Sequence, residues 1–330
     1  MDTLLEINNL KVIYETERGP LTPVDRVTLK VLRGETLCLV GESGCGKSTL
    51  ALAIPRLLPP NAKIVSGQII YKGNDLLKLD YNQLQKVRGR EIAIIFQNPM
   101  SSLNPVMRVG HQVAEVPVFQ NNMTWSKAVL LAIDQLGKVG LPDPAVRARD
   151  FPHAFSGGMK QRSMIAMMTV AKPDLLIADE PTTALDVTIQ AQIIELLQTF
   201  KVEYQLTLIL ITHNFGIVAE ICDRVAVMYS GKVIEIANTF ELFKEPIHPY
   251  TRGLIECAKV RAKPKTKLYQ IPGSPPDMIN PPPGCRFHPR CPFATEKCSR
   301  EEPPLMEVNK NHFVACHLNS STGDKQWIYS

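Results

Sequence analysis

The stretch T-L-C-L-V-G-E-S-G-C-G-K-S-T, residues 36–49, decides the fold of this 330-residue chain. Its first five residues carry no charge and favour a strand that is buried on both faces. The next eight match the pattern G-x-x-x-x-G-K-[ST], and Thr49 leads into the helical stretch 50–58. A glycine-rich loop between a strand and a helix N-terminus directs backbone N–H groups at phosphate oxygens. The segment therefore predicts a phosphate-binding loop at one edge of a parallel sheet.

Two residues at the end of this loop have side chains suited to a bound nucleotide. Lys47 would reach the β- and γ-phosphates, and the Ser48 hydroxyl would ligate Mg²⁺. A second stretch, L-L-I-A-D-E at 175–180, would deliver two carboxylates from the end of a buried strand. There Asp179 would hold the magnesium ion, and Glu180 would polarise the attacking water. The sequence thus predicts a site that hydrolyses a nucleoside triphosphate.

The first 240 residues favour an α/β class with a mainly parallel sheet, because strand and helix patterns alternate along them. Further strands are predicted at 92–96, 175–178, 206–212 and 224–237. The last of these is expected to be a hairpin that turns at Ser230 and Gly231. Helices are predicted at 125–140 and 188–204, and a small antiparallel sheet at about 4–33.

Composition and charge exclude several other classes of protein. The chain is 45% hydrophobic and 21% charged, which is typical of a globular protein. Its net charge of +5 is spread along the sequence, so no nucleic-acid partner is expected. The start lacks the layout of a signal peptide, and no stretch approaches ~18 apolar residues. We therefore expect a cytosolic chain whose eight cysteines are thiols or metal ligands rather than disulfides.

The composition changes after about residue 240. The segment 271–284 holds six prolines in fourteen residues, too many for a helix or a central strand. We therefore predict a nucleotide-binding domain over 1–240 and an irregular, proline-stiffened extension over 241–330. The extension carries four cysteines with the spacing C-x₅-C-x₆-C-x₁₇-C, namely Cys285, Cys291, Cys298 and Cys316. This spacing matches neither the close pairs of structural zinc sites nor the compact ferredoxin run, although longer loops can gather four thiolates.

Seven motifs, in order along residues 14–213, resemble those of ATP-binding subunits of ABC transporters. They are Tyr14, G-E-S-G-C-G-K-S-T, Gln97 in F-Q-N-P-M-S-S-L-N-P, F-S-G-G-M at 155–159, L-L-I-A-D-E-P, Asp186 in T-A-L-D, and His213 in I-T-H-N. The resemblance implies an ABC-type P-loop NTPase fold with a mainly parallel core, a small antiparallel β subdomain and a helical subdomain at about 100–165. It also implies two such subunits stacked head to tail, with each ATP held between one subunit's loop and its partner's S-G-G.

The resemblance assigns a role to each matching residue. Those expected to bind ATP are Tyr14, Gly41, Glu42, Ser43, Gly44, Cys45, Gly46, Lys47, Ser48 and Thr49. Those expected to contact the partner's ATP are Ser156, Gly157, Gly158 and Met159. Glu180, His213 and Gln97 would be catalytic, Asp186 would couple the dimer, and Mg²⁺ would be held through Ser48, Gln97 and Asp179. Phe155, Met159 and Cys45 depart from the commonest family pattern, so the backbone must carry the binding at those positions.

Three motifs are similar to those of the dipeptide/oligopeptide importer subfamily. They are F-Q-N-P-M-S-S-L-N-P, F-P-H-A-F-S-G-G-M-K-Q-R and H-P-Y-T-R-G-L (248–254). This resemblance implies a peripheral ATPase at the cytoplasmic face of the cell membrane. Its partners would be a second ATPase, identical or a paralogue, two membrane-spanning permeases and an extracytoplasmic peptide-binding protein. The ATPase of an importer of nickel or another small solute is the alternative. A soluble ABC ATPase of DNA repair or translation is disfavoured, since no coiled coil interrupts 50–155 and only one nucleotide domain is present.

The subfamily's cysteine-bearing tail implies a [4Fe–4S] cluster in a structural role at the four cysteines. Arg286, Arg290, Lys297 and Arg300 lie among them and would offset the charge of a ligated cluster. Zinc-bound or unligated thiols, with His288 and His317 as spare ligands, are the alternative. A tail that acts as a redox or metal sensor is a further, less favoured interpretation.

Overall fold

The structure is a computed structural model that describes residues 2–98, 102–183, 185–258 and 269–320. The strands are β1 (Thr3–Thr16), β2 (Gly19–Leu32), β3 (Thr36–Val40), β4 (Ala62–Tyr71), β5 (Asn74–Asp75), β6 (Ile92–Ile95), β7 (Leu175–Asp179), β8 (Thr207–Ile211), β9 (Arg224–Tyr229), β10 (Lys232–Asn238), β11 (Met306–Asn309) and β12 (His312–Val314). The α-helices are α1 (Lys47–Ala53), α2 (Tyr81–Val87), α3 (Val109–Asn121), α4 (Trp125–Lys138), α5 (Pro144–Arg147), α6 (Gly157–Thr169), α7 (Val187–Tyr204), α8 (Phe215–Ile221), α9 (Thr239–Lys244), α10 (Pro249–Ala258) and α11 (Glu296–Arg300).

The larger sheet is the core of the molecule, and its strand order is β11-β12-β10-β9-β3-β8-β7-β6. The five strands from β9 to β6 are parallel, whereas β10, β12 and β11 are antiparallel. Every residue of β3, β7 and β8 is buried, which explains why their sequences are almost free of charge. The predicted α/β class with a mainly parallel core is confirmed.

The smaller sheet is antiparallel, in the order β2-β1-β4-β5. The predicted sheet in the early segment is therefore confirmed, and it extends further than expected because β4 and β5 join it from beyond α1. Its apolar face packs with β3 and α1 in one hydrophobic cluster that includes Leu5, Val12, Leu39 and Leu50. This packing places the end of β3 and the start of α1 beside the small sheet.

The local signals for turns and helix ends agree with the structure. The hairpin β9–β10 turns at Ser230 and Gly231, whose φ values of 44° and 81° suit a tight turn with two left-handed residues. Helix α4 ends just before Gly140, which has a φ of 77°. Helices α3, α4, α5 and α6 supply the helical part expected at about 100–165; residues 99–101, at its start, lie outside the described residues.

The C-terminal extension packs on the main sheet and is less irregular than its prolines indicate. Strand β12 pairs with β10, so residues 306–314 add a hairpin to the core sheet. This hairpin forms because the prolines end at Pro304, which leaves the backbone N–H groups of the following residues able to pair. The boundary near residue 240 stays a prediction, and residues 259–268 and 321–330 of the predicted extension lie outside the described part.

Two buried carboxylates anchor the extension. Glu235 in β10 accepts hydrogen bonds from the backbone N–H groups of Ile247 and His248 and lies 2.8 Å from His312 Nε2 of β12. Asp25 in β2 forms ion pairs with Lys232 and with Arg286 of the extension. Because both acids are paired, the cost of burying their charges is offset. The same pairs hold the extension in one position.

Candidate nucleotide site

The predicted phosphate loop lies between β3 and α1, and its glycines are required by its shape. Gly41 and Gly46 have φ values of 151° and 108°. A Cβ at Gly41 would collide with the carbonyl oxygen of Met228, and one at Gly46 with that of Pro23. Only glycine lets the loop curl this closely against the strands behind it.

Lys47 is buried and its ammonium group points back into the loop. Its Nζ donates to the carbonyl oxygens of Gly41, at 2.8 Å, and Glu42, at 3.0 Å, and lies 3.6 Å from Cys45 Sγ. Burial raises the pKa of the Cys45 thiol, although Lys47 acts in the opposite direction, so the thiol is neutral. The arrangement provides a buried cation whose carbonyl partners an anionic ligand can replace.

Asp179, at the end of β7, is buried beside Ser48. Burial raises its pKa, while a hydrogen bond with the Ser48 hydroxyl and the charge of Lys47 act to lower it. Its Oδ1 atom is buried and has no hydrogen-bond partner in the described part of the chain. A carboxylate oxygen and a hydroxyl are the hard oxygen donors that Mg²⁺ prefers. This orphaned oxygen fits the predicted magnesium site.

Glu180 is the centre of a hydrogen-bonded group that includes two other predicted catalytic residues. Gln97 Nε2 and Thr183 Oγ1 donate to its Oε2 at 2.9 and 2.8 Å, and His213 Nδ1 lies 3.3 Å from its Oε1. Burial alone would raise the Glu180 pKa, but the hydrogen bonds with Thr183 and His213 hold it below its usual value. The carboxylate is therefore ionised at neutral pH and can accept a proton.

Tyr14 lies on the other side of the loop. Its hydroxyl is 3.4 Å from Thr49 Oγ1, so β1 brings this aromatic ring to the first turn of α1. Its role as an adenine platform stays a prediction.

The S-G-G segment caps helix α6. Ser156 is the N-cap residue and its Oγ accepts a hydrogen bond from the Met159 N–H at 3.3 Å. Ser156 and Gly157 are exposed, so this helix end faces solvent. Phe155 is buried in the core, which explains why an aromatic residue is tolerated there. Asp186 similarly caps α7 by accepting from Ile189 N–H at 2.9 Å; its coupling role and the partner contacts stay predictions.

The sequence interpretation missed two residues that hold the loop from outside. The Tyr250 hydroxyl accepts a hydrogen bond from the Glu42 N–H at 2.8 Å. Arg290 of the extension donates to both carboxylate oxygens of Glu42. Tyr250 lies within the motif H-P-Y-T-R-G-L, which indicated the subfamily but did not indicate a contact with the loop. Arg290 was considered only as a charge among the cysteines.

The four cysteines of the extension lie close enough to affect one another. Burial first, and then the other three thiols, raise the pKa of Cys316 to about 12, and burial with Cys285 and Cys298 raises that of Cys291 to about 11. Within the described ranges, however, no group of three or more His, Cys, Asp or Glu side chains is arranged to hold a metal ion. The donors suit a Cys₄ site in kind but are not in ligating geometry. The predicted cluster is therefore not confirmed.

Comparison with known proteins agrees with this geometry. Residues 24–183 match the family model described as ABC transporter. A solved dimeric structure of the ATP-binding cassette MJ0796, in a post-hydrolysis state with ADP and Pi, superposes with a TM-score of 0.65 and 25% identity. That match covers 71% of this chain and 98% of the other. The fold and the site thus define an ATPase of the ABC type.

The sequence relatives narrow the class to a family. Residues 234–298 match the model described as oligopeptide/dipeptide transporter, C-terminal region. The dipeptide transport ATP-binding protein DppD of Bacillus subtilis is 43% identical, over 98% of this chain and 97% of that protein. The oligopeptide transport ATP-binding protein AppD of the same organism is 45% identical, over 99% and 100%. The chain therefore belongs to the family of dipeptide and oligopeptide transport ATP-binding proteins.

Proposed function

We propose that this chain binds and hydrolyses MgATP to power the import of dipeptides or oligopeptides through an ABC transporter. The observation that carries the proposal is the pair of carboxylates at the end of β7. Asp179 offers an unpaired oxygen beside Ser48, and Glu180 next to it is held ionised by its hydrogen bonds with Thr183 and His213. The relatives are dipeptide and oligopeptide transport proteins, which supports the choice of cargo.

The residues divide the work of hydrolysis between them. The N–H groups of the loop and of the first turn of α1 bind the phosphate oxygens, and Lys47 leaves its carbonyl partners for the β- and γ-phosphates. Ser48, Asp179 and Gln97 would hold Mg²⁺, which would supply positive charge to neutralise the phosphate oxygens. Glu180 orients the attacking water and accepts its proton, and His213 contacts the γ-phosphate from the end of β8. Tyr14 stacks on the adenine.

Binding can be tested directly with Lys47→Ala and Asp179→Asn. Both variants remove a group proposed to contact the phosphates or the metal, so affinity for MgATP in a calorimetric titration should fall at least about tenfold. Asp179→Asn should weaken binding less when Mg²⁺ is omitted, since its effect acts through the metal. Unchanged MgATP affinity in Lys47→Ala would place the nucleotide elsewhere.

The second half of the proposal concerns partners. Exposed Ser156 and Gly157, followed by half-buried Gly158, supply a second helix end for phosphate at the start of α6, which is free to complete the site of another ATPase, a copy or a paralogue. No helix in the described ranges is long and apolar enough to cross a bilayer. We infer that the ATPase pair works at the cytoplasmic face of the membrane beneath two permease subunits, which receive peptide from an extracytoplasmic binding protein.

This sharing of sites has a kinetic signature. The isolated chain should hydrolyse ATP feebly at low concentration, and the rate per subunit should rise with concentration or on addition of the permeases. A rate per subunit that equals that of the whole transporter and does not depend on concentration would contradict the shared site.

We further propose a [4Fe–4S] cluster at Cys285, Cys291, Cys298 and Cys316, with zinc as the alternative. The effect of the other three thiols on the pKa of Cys316 supports the proximity of the four side chains, although a shift of the loops would be needed for ligation. Anaerobically purified protein should be brown, absorb near roughly 400 nm, and lose that band in Cys291→Ser. Colourless protein with stoichiometric zinc would decide for the alternative.

A further inference from the structure

The phosphate loop is held by an arginine that belongs to the distant C-terminal extension. Arg290 Nη1 donates to Glu42 Oε2 at 2.7 Å and Nη2 to Glu42 Oε1 at 3.0 Å, a bidentate pair. The Arg290 side chain is only 5% exposed, whereas that of Glu42 is 25% exposed. The pair thus links residue 290 to the second residue of the loop across 248 positions of sequence.

The other donors of Arg290 fix its guanidinium group in place. Its Nε donates to the Pro272 carbonyl at 2.8 Å, Nη2 also reaches the Ile271 carbonyl at 3.3 Å, and Nη1 reaches the Tyr229 hydroxyl at 3.3 Å. The group also lies 6.0 Å from the centre of the Phe287 ring. A guanidinium held from several sides cannot follow a moving loop, so it sets where the Glu42 carboxylate lies.

A carboxylate at this position has a consequence for nucleotide binding. Glu42 lies inside the loop proposed to surround the triphosphate, so its negative charge opposes the charge of the ligand. The backbone N–H of Glu42 donates to Tyr250 and the carboxylate binds Arg290, which turns both groups towards α10 and the extension. The arginine therefore offsets the charge of the loop and also fixes its path.

We propose that Arg290 is a positioning residue for ATP: by pairing with Glu42, the extension neutralises the one acidic side chain of the phosphate loop and keeps the loop shaped for the nucleotide. This inference rests on the proposed placement of ATP in the loop 41–49. It gives the extension a direct part in nucleotide affinity. Because the turn that carries Arg290 lies between Cys285 and Cys291, the same contact joins the cysteine region to the site.

The test separates charge from docking by removing the two partners in turn. Arg290→Gln leaves Glu42 unpaired beside the triphosphate, so the Kd for a non-hydrolysable MgATP analogue should rise about tenfold, since an uncompensated charge is costly. The double variant Glu42→Gln with Arg290→Gln carries neither charge, and its Kd should return to within about threefold of the original. Arg290→Lys keeps the charge but loses the bidentate geometry and should give an intermediate Kd.

Kinetics of the assembled transporter supply a second readout. In Arg290→Gln the KM for MgATP should rise while kcat at saturating MgATP stays within about twofold, since Arg290 acts through the loop and not on the reacting atoms. Glu302→Gln is the matched control: it removes two other ion pairs of the extension, with Arg26 and Lys232, and touches no loop residue. Its Kd and KM should be unchanged.

Three results would overturn the inference. They are an unchanged Kd in Arg290→Gln, an equal loss in the single and double variants, and a loss in Glu302→Gln as large as in Arg290→Gln. The last two would mean that docking of the extension matters and the charge pair does not. Lys47→Ala distinguishes the proposed function from this inference, since normal binding by that variant would refute the nucleotide site itself. If Arg290→Gln does not fold, Arg290→Lys and the double variant still carry the comparison.

Discussion

At the scale of single residues, chemistry and conformation meet at Glu180. Its φ of 46° places a non-glycine residue in the left-handed region, directly after the buried strand β7. That conformation is costly for most residues and persists only where the surroundings hold it. Here the Glu180 N–H donates to the Ile211 carbonyl of β8 at 2.9 Å, and the side chain has three partners. The left-handed conformation turns the Glu180 carboxylate out of the sheet and towards the phosphate loop.

Replacement of this carboxylate should separate binding from hydrolysis. Glu180→Gln keeps the shape of the side chain but removes its basicity, while Lys47, Ser48 and Asp179 remain. We expect normal MgATP affinity and a hydrolysis rate that is lower by about 10²- to 10⁴-fold, measured in the assembled transporter. Trapped ATP should also hold two ATPase subunits together in size-exclusion chromatography. Near-normal turnover would assign the base to another residue.

The contact between His213 and Glu180 predicts how ATP hydrolysis depends on pH. A hydrogen bond and the charge of His213 help to hold the Glu180 pKa below its usual value. A general base works while it is deprotonated, so activity is lost as the pH falls through that pKa. His213→Ala removes a group that lowers the pKa and should shift the acidic limb of the kcat profile to higher pH. His153→Ala, an exposed histidine on the short turn Pro152–Ala154, should leave the limb where it is.

At the scale of elements, two side-chain caps hold the starts of α6 and α7. Ser156 caps α6 and Asp186 caps α7, and each satisfies one backbone N–H of a helix that would otherwise be unpaired. The same side chains lie where the family resemblance places contacts with a partner. We therefore predict that local stability and assembly depend on the same residues.

Cap variants can separate these two roles. Ser156→Ala, Asp186→Ala and Asp80→Ala each remove a cap, and each should lower the free energy of unfolding by about 1 kcal/mol. Asp80, which caps α2 by accepting from Gln83 N–H at 2.8 Å, is the control because it belongs to none of the motifs assigned to the nucleotide or to the partner. Ser156→Ala and Asp186→Ala should also lower the ATPase rate of the assembled transporter, whereas Asp80→Ala should not. Equal rates in all three variants would limit Ser156 and Asp186 to capping.

At the scale of the whole molecule, buried titratable groups decide how firmly the extension is held. His248 is fully buried at the start of α10, and burial lowers its pKa to about 4, although the charge of Glu235 acts in the opposite direction. Its Nδ1 accepts a hydrogen bond from the Tyr250 N–H at 3.1 Å. The same segment thus positions Tyr250, which contacts the loop.

This histidine predicts acid sensitivity. The unfolded state takes up a proton near pH 6.5 and the folded state only near 4, so stability is complete above pH 6.5 and falls as the pH decreases towards 4. The loss from this group should approach about 3 kcal/mol, measured by urea unfolding between pH 4 and 8. His248→Asn, which keeps an acceptor for Tyr250, should flatten the pH dependence in this window. An unchanged slope would show that another group is responsible.

The sequence by itself determined the fold class and the identity of the nucleotide loop. The spacing of Gly41, Gly46, Lys47 and Ser48 is local, and the positive φ values of the two glycines are a property of the loop itself. The buried strands could also be predicted, because a strand covered on both faces excludes charged residues over its whole length. Such signals reside within about ten residues, so no knowledge of packing is needed to find them.

Only the tertiary structure decided how the extension meets the site. The contact of Arg290 with Glu42, the hydroxyl of Tyr250 on the loop, and the pairing of β12 with β10 join residues far apart in sequence. The proline-rich run predicted an irregular tail, yet its last strands complete the core sheet. The sequence does not indicate which group a charged side chain or a hydroxyl will pair with. The partner depends on the path of the folded chain and on the cost of leaving a buried polar group unpaired.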